Sequence, residues 1–94
     1  MPKEGQAVTN EEINKLLCEM LMGNEGNYVQ EPAQALEVLE KVRQLFEYSL
    51  VTVEGLTYFV TFKDYGGPSY TAFNKSFSKA VCLAALKAIK EGLS

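Results

Sequence analysis

Two tyrosines and two lysines around one predicted turn are the residues of this sequence best suited to bind a ligand. Tyr65 and Tyr70 flank the turn Gly66-Gly67-Pro68, with Lys63 before it and Lys75 after it. Flat amphipathic rings beside positive charges are typical of small-ligand sites and protein interfaces. We therefore predict a binding surface at Lys63, Tyr65, Tyr70 and Lys75. The alternative interpretation is that the tyrosines lie at strand ends and close the edge of the core, with their hydroxyl groups in water.

The sequence contains no residue set that indicates catalysis or metal binding. It has no histidine, which removes the commonest general base and the commonest zinc ligand. Cys82 therefore lacks a histidine to activate it, and two cysteines without other ligands cannot hold a structural zinc ion. The Gly66-Gly67 pair lacks the Lys-Ser/Thr of a phosphate-binding loop. We expect a protein that is not an enzyme and that uses no metal and no cofactor.

Two amphipathic helices are predicted in the first half of the chain. Thr9 and Glu12 fit a capping box, and Gly23 is a typical C-cap, so the first helix should span residues 10–22. Pro32 suits the first position of a second helix. Apolar residues at helical spacing then mark one buried face on each helix: Ile13, Leu16, Leu17, Met20 and Leu21 on the first, and Ala35, Val38, Leu39, Val42 and Phe46 on the second.

Three strands are predicted in the second half. A strand rich in β-branched residues begins near Tyr48, and Glu54-Gly55 is suited to a tight hairpin leading into an alternating strand over residues 56–62. The turn at residues 64–68 leads to a third strand at residues 69–73. These strands form an antiparallel meander.

An alanine-rich helix is predicted over residues 78–89, and its small side chains should let it lie close on the sheet. The side expected to face the sheet consists of Phe77, Val81, Ala84, Ala85 and Ala88. The element order is α-α-β-β-β-α, which predicts an α+β fold with a three-stranded antiparallel sheet. Since both faces of the sheet carry apolar residues, we expect helices on both faces, a helix/sheet/helix sandwich.

Length and composition indicate one small globular domain. The 94 residues fit a single domain over residues 1–94, with residues 1–8 as a flexible N-terminal segment. No apolar run approaches the roughly 20 residues of a membrane span, and the polar N-terminus lacks the apolar stretch of a signal peptide. We expect a cytoplasmic protein whose Cys18 and Cys82 are small core residues rather than a disulfide.

The chain resembles a small phage-encoded family, the phage ABA sandwich domain of phages and prophages of Gram-positive bacteria. The resemblance lies in the helix ending Glu19-Met20-Leu21-Met22-Gly23, the helix over residues 31–42, the strand Tyr58-Phe59-Val60-Thr61-Phe62 and the helix over residues 80–88. It implies a helix/sheet/helix layering and a phage or prophage origin, and hence a location in the cytoplasm of a bacterial host. The family carries no established activity or functional residues.

A β-β-β-α order with an alanine-rich last helix is also similar to a double-stranded-RNA-binding domain. Such domains place a lysine cluster at the start of that helix to hold phosphates. Here Lys75 and Lys79 are separated by three uncharged residues, and the first hairpin loop has no histidine. Nucleic acid is therefore an unfavoured partner.

Two classes of function stay open at this point. The leading hypothesis is a non-enzymatic phage accessory protein that binds a host protein. The alternative is a protein that binds or sequesters a small anionic nucleotide signal. We also expect self-association, because the third strand is short and ends an open sheet.

Overall fold

The computed structural model describes residues 9–64 and 66–92 and has the element order α-α-β-β-β-α. This order and the antiparallel three-stranded sheet confirm the predicted α+β fold. The segment 1–8, for which flexibility was predicted, and Tyr65 lie outside the described residues. The elements are α1 (Asn10–Leu17), α2 (Pro32–Arg43), β1 (Tyr48–Glu54), β2 (Thr57–Lys63), β3 (Ser69–Asn74) and α3 (Phe77–Gly92).

The predicted capping box opens α1. The backbone N–H of Glu12 donates to the Thr9 hydroxyl at 3.1 Å, and the Glu12 carboxylate accepts from the backbone N–H of Thr9 at 3.0 Å. The helix continues into a π-helical turn, Cys18–Met22, and ends at Gly23, whose φ of 81° is left-handed. Its last hydrogen bond runs from the Gly23 N–H to the Cys18 carbonyl at 2.8 Å. The helix therefore ends where Gly23 predicts, but through a wider final turn.

The loop between α1 and α2 is held by side-chain amides. Asn14 accepts from the Val29 N–H at 3.1 Å, and the Asn27 N–H donates to the amide oxygen of Gln34 at 2.8 Å. Tyr28 and Val29 are buried, as expected for apolar residues in an otherwise polar loop. This network fastens the loop to both helices.

The first hairpin closes one residue later than predicted. Glu54 pairs with Thr57, so the two turn residues are Gly55 and Leu56 rather than Glu54-Gly55. Gly55 has a φ of 62°, whereas no described residue other than glycine has a positive φ. A positive φ at the first turn position alone is the type II′ geometry, which favours glycine there. Leu56 consequently sits at the exposed tip of the hairpin, outside the strand.

Helix α3 forms the middle layer of the molecule. It packs on β2 and β3 on one side and on α2 and α1 on the other. The sheet side that it covers carries Tyr58, Val60 and Phe62 of β2, with Tyr58 and Phe77 in edge contact at a centroid distance of 5.7 Å. A helix enclosed on two sides needs apolar or small residues around most of its circumference. The fully buried residues of α3 are Ala80, Val81, Cys82, Ala84, Ala85 and Ala88.

The prediction of helices on both faces of the sheet is wrong for the described part of the chain. In residues 9–64 and 66–92, the layers are sheet, α3, and then α1 with α2. The physical reason is that α3 is apolar nearly all round, so α1 and α2 bury their stripes against it instead of against the far face of the sheet. Within the described ranges, no helix is both long and apolar enough to cross a membrane.

Candidate functional site

The predicted ligand-binding residues do not come together as one site in the described structure. Lys63 ends β2, and its Nζ donates to the Gly67 carbonyl at 3.3 Å. Tyr70 is buried, and the centroids of the Tyr70 and Phe46 rings are 5.9 Å apart, so Tyr70 belongs to the core. Lys75 is exposed and follows β3, at the end of the sheet opposite Lys63, because β3 runs antiparallel to β2. Tyr65 lies outside the described residues.

The main exposed feature is the sheet face that points away from α3. The register places alternate residues of the three strands on this side. Leu50 is 53% exposed and Phe73 is 63% exposed. The centroids of the Phe59 and Phe73 rings are 5.4 Å apart. We call this surface the open face and define it by Tyr48, Leu50, Thr52, Phe59, Thr61, Thr71 and Phe73.

The open face has a polar pair at its centre, flanked along the strands by Phe59 and Phe73 on one side and by Lys63 and Ser69 on the other. Thr61 and Thr71 are cross-strand partners, and their hydroxyl groups are 2.8 Å apart. Tyr48 and Leu50 lie on the β1 side of this pair, and Phe73 lies next to Thr71 along β3. Cross-strand pairs of this kind stabilise a sheet without covering it. The result is a preformed surface that combines aromatic rings, aliphatic groups and hydroxyl groups.

Strand β1 is exposed on its other side as well. Six of its seven residues are exposed. Val51 and Val53 point to the same side as α3, yet α3 lies over β2 and β3, and Val53 is 56% exposed. Leu56 at the hairpin tip is 80% exposed. The uncovered apolar surface therefore continues from the open face around β1.

A groove lined mainly by charged and polar residue types lies between α1 and the first loop. It has a volume of about 450 Å³, and its wall includes the half-buried Cys18. The Asn14 amide at its edge is committed to the loop, since it donates to Asn27 at 3.3 Å and accepts from Val29. No group of three metal-ligating side chains occurs among the residues that the structure describes. The remaining lining residues are Glu11, Lys15, Glu19, Glu25 and Gly26.

The two cysteines differ in burial: Cys82 lies in the core, whereas Cys18, which was also predicted to be a core residue, is half-buried at the wall of the groove. Both thiols are free. Cys82 is fully buried in α3, and this burial raises the pKa of its thiol to about 12. A thiol with so high a pKa stays protonated at neutral pH, and the thiolate is the reactive form. Cys82 therefore acts as a small core residue, as its position in the helix predicted.

Comparisons of the chain with protein-family models, with curated proteins and with solved structures find no match. Sequence patterns placed apolar residues on both faces of the sheet, but they assigned the far face to a helix. One feature of the sequence could have identified the open face. Helices α1 and α2 each have a single apolar face, so once that face packs on α3, neither helix has a second one to cover the sheet.

Proposed function

We propose that this chain is a non-enzymatic binding protein whose partner is another protein with an apolar surface, docked on the open face. The single observation that carries the proposal is the set of exposed large apolar side chains on that face, led by Leu50 and Phe73. Contiguous exposed apolar groups on a small domain mark interaction sites. Aromatic residues are also enriched at protein interfaces.

The charge of the sheet side that bears the open face favours a protein over a nucleic acid or a nucleotide. The described strand residues on this side carry one lysine, Lys63, and one acidic residue, Glu54. Phosphate-binding surfaces instead concentrate Lys and Arg. Lys63 is also engaged with the Gly67 carbonyl. A nearly uncharged, aromatic surface suits the buried centre of a protein interface.

The biological setting of the proposal comes from the family resemblance. A phage or prophage accessory protein acts inside a bacterial host, so the proposed partner is a host protein. The described side chains include an exposed apolar surface, and the buried Cys82 is protonated at neutral pH. These features support binding rather than covalent chemistry.

The test compares matched leucine substitutions on the two sides of the molecule. Leu50 on the open face and Leu36 on α2 have nearly equal exposure, 53% and 49%, so Leu50→Gln and Leu36→Gln remove similar amounts of exposed apolar surface. We expect one host protein to co-purify stoichiometrically with the wild type and with Leu36→Gln. The purified pair should bind at least about tenfold more weakly with Leu50→Gln, because interface centres are sensitive to truncation.

Two outcomes would overturn the proposal. Equal affinity of Leu50→Gln and the wild type for the host protein would remove the open face from the interface. A stoichiometric nucleotide released on denaturation of the purified protein, detected by absorbance and mass spectrometry, would support the small-molecule alternative instead.

A further inference from the structure

We infer that β1 pairs with β1 of a second copy of this chain, which joins the two sheets into one of six strands. Strand β1 is an edge strand seven residues long, with neither proline nor lysine in it. Proline and lysine are among the residues that usually protect an edge strand against pairing with another strand. Its apolar side chains point to both sides, with Leu50 on one and Val51 and Val53 on the other. Strands that are apolar on both faces are typical of the interior of a sheet.

The hairpin geometry identifies which backbone groups of β1 are free for a second strand. A two-residue turn is closed by a hydrogen-bonded pair, here Glu54 and Thr57. Hydrogen-bonded and non-hydrogen-bonded pairs then alternate along an antiparallel ladder. Tyr48, Leu50, Thr52 and Glu54 therefore bond to β2. The N–H and C=O groups of Ser49, Val51 and Val53 point away from the sheet.

The other edge of the sheet, β3, has a lysine over its outward backbone groups. The same alternation turns the Thr71 carbonyl of β3 outward, and the Nζ of Lys87 lies 3.5 Å from that oxygen. A lysine over an edge is one of the ways in which proteins discourage strand addition. In the described residues, no side chain donates to the outward carbonyls of β1. The free edge of the sheet is therefore β1.

One register fits two copies of β1 about a twofold axis. Outward-pointing residues must face one another, which requires odd-numbered residues opposite odd-numbered residues. Centring the axis on Val51 pairs all seven residues: Val51 with itself, Ser49 with Val53, Leu50 with Thr52, and Tyr48 with Glu54. Three outward residues per strand, each in a doubly bonded pair, give about six backbone hydrogen bonds.

Neighbouring registers are less favourable. Moving the axis to Thr52 places Leu50 opposite Glu54, and moving it to Leu50 leaves Glu54 opposite Phe46, outside the strand. In the register centred on Val51, no like charges stand opposite each other. Like charges in directly opposite positions would destabilise the pair. The complementarity of β1 with itself is the reason for naming a second copy as the occupant.

Pairing through β1 would also enlarge the open face, but the pairing does not depend on the function proposed for that face. Equivalent residues of the two copies lie on the same face, so both α3 helices lie on one side and the two open faces become continuous on the other. The edge is formed by backbone groups of Ser49, Val51 and Val53. The open face is formed by different residues, led by Leu50 and Phe73.

The first test uses proline at an outward N–H on each edge. Val51→Pro removes the N–H at the twofold axis and leaves the bonds to β2 intact, since Val51 does not bond to β2; proline is tolerated at such edge positions. Thr71→Pro is the matched control on β3. Analytical ultracentrifugation from about 1 µM to about 1 mM should show a dimer for the wild type and for Thr71→Pro, and at least about tenfold weaker association for Val51→Pro.

The second test keeps the inference falsifiable if the proline variant does not fold. Val51→Lys and Val51→Glu each place like charges face to face at the axis, so each variant alone should be monomeric. An equimolar mixture should form a heterodimer, because opposite charges then meet at the axis. A wild type that stays monomeric to about 1 mM, or a dimer that survives both Val51→Lys and Val51→Glu, overturns the inference. Host-protein binding by the monomeric Val51→Lys variant would still uphold the open face, so the two proposals fail separately.

Discussion

Gly26 is the residue of the first loop with the least room for a side chain. A β-carbon there would lie 2.5 Å from the amide oxygen of Gln34 and 2.8 Å from the Tyr28 ring. That oxygen already accepts from the Asn27 N–H at 2.8 Å, so it cannot move without loss of the bond. We predict that Gly26→Ala lowers the free energy of unfolding by about 1–3 kcal/mol, measured by urea denaturation.

Gly67→Ala is the control for this prediction. Its nearest neighbour would be the Asp64 β-carbon at 3.3 Å in a surface turn, so the change should cost less than about 0.5 kcal/mol. Equal urea midpoints for the two variants would show that the first loop yields easily. The packing around Gly26 could not be predicted from the sequence, because the contact with Gln34 depends on how α2 is placed.

Buried ionisable groups predict a loss of stability in alkali. Burial raises the pKa of the Cys82 thiol from 9.0 to about 12, and burial, followed by the charges of Cys18 and Glu37, raises the pKa of the Tyr28 hydroxyl. Below pH 9 the Cys82 thiol is protonated in both the folded and the unfolded state. Between pH 9 and about 12 only the unfolded state ionises, so the free energy of unfolding falls, by up to about 1.4 kcal/mol per pH unit for one group.

The variant Cys82→Ala isolates the thiol contribution. Urea titrations at several pH values from 8 to about 10.5 should show a shallower decline for the variant than for the wild type. The residual decline belongs to Tyr28, whose pKa is also raised by burial. Identical slopes would mean that Cys82 ionises equally well in the folded protein, contrary to its burial.

At the scale of elements, α3 is the place where added volume should be most harmful. Ala84 and Ala85 are fully buried in a helix packed between the sheet and the other helices. Leucine at either position forces one of the two layers outward, so Ala84→Leu and Ala85→Leu should each cost about 1–3 kcal/mol. Lys87→Ala on the exposed side should cost less than about 0.5 kcal/mol.

Urea midpoints of the three α3 variants decide this prediction. Wild-type stability in both leucine variants would mean that α3 does not separate two layers. The helix itself was predictable, since its apolar spacing and small residues are local properties. Its first residue is also locally determined, because the Ser76 hydroxyl accepts from the Lys79 N–H at 3.2 Å as an N-cap.

The arrangement of the elements was less predictable than the elements themselves. The three strands and the two turns between them were predicted from local patterns, and the structure confirms the meander order β1-β2-β3. Periodicity shows which face of a helix is buried but not which surface covers it. For this reason the sequence placed a helix against Phe59 and Phe73, whereas the structure leaves that face open and buries the stripes of α1 and α2 on the back of α3.

The candidate site illustrates the same limit at the scale of the whole molecule. Lys63 and Lys75 are close to one turn in sequence terms, yet the strand between them carries them to opposite ends of the sheet. Tyr70 was predicted as a binding residue but is buried against Phe46, in line with the alternative interpretation of that tyrosine. The open face could not be predicted from the sequence, because its exposure depends on how helices distant in sequence pack.

The net charge of the chain gives a final prediction about association through β1. Each copy carries a net charge of −3, so two copies repel weakly at long range. Raising the salt concentration from about 0.02 M to about 0.5 M shortens the screening length from roughly 20 Å to below 5 Å and should strengthen the wild-type dimer about twofold. The heterodimer of Val51→Lys with Val51→Glu should respond in the opposite direction, because salt screens the attraction at its axis. Sedimentation at both salt concentrations measures the two trends, and a heterodimer that tightens with salt would place position 51 away from the axis.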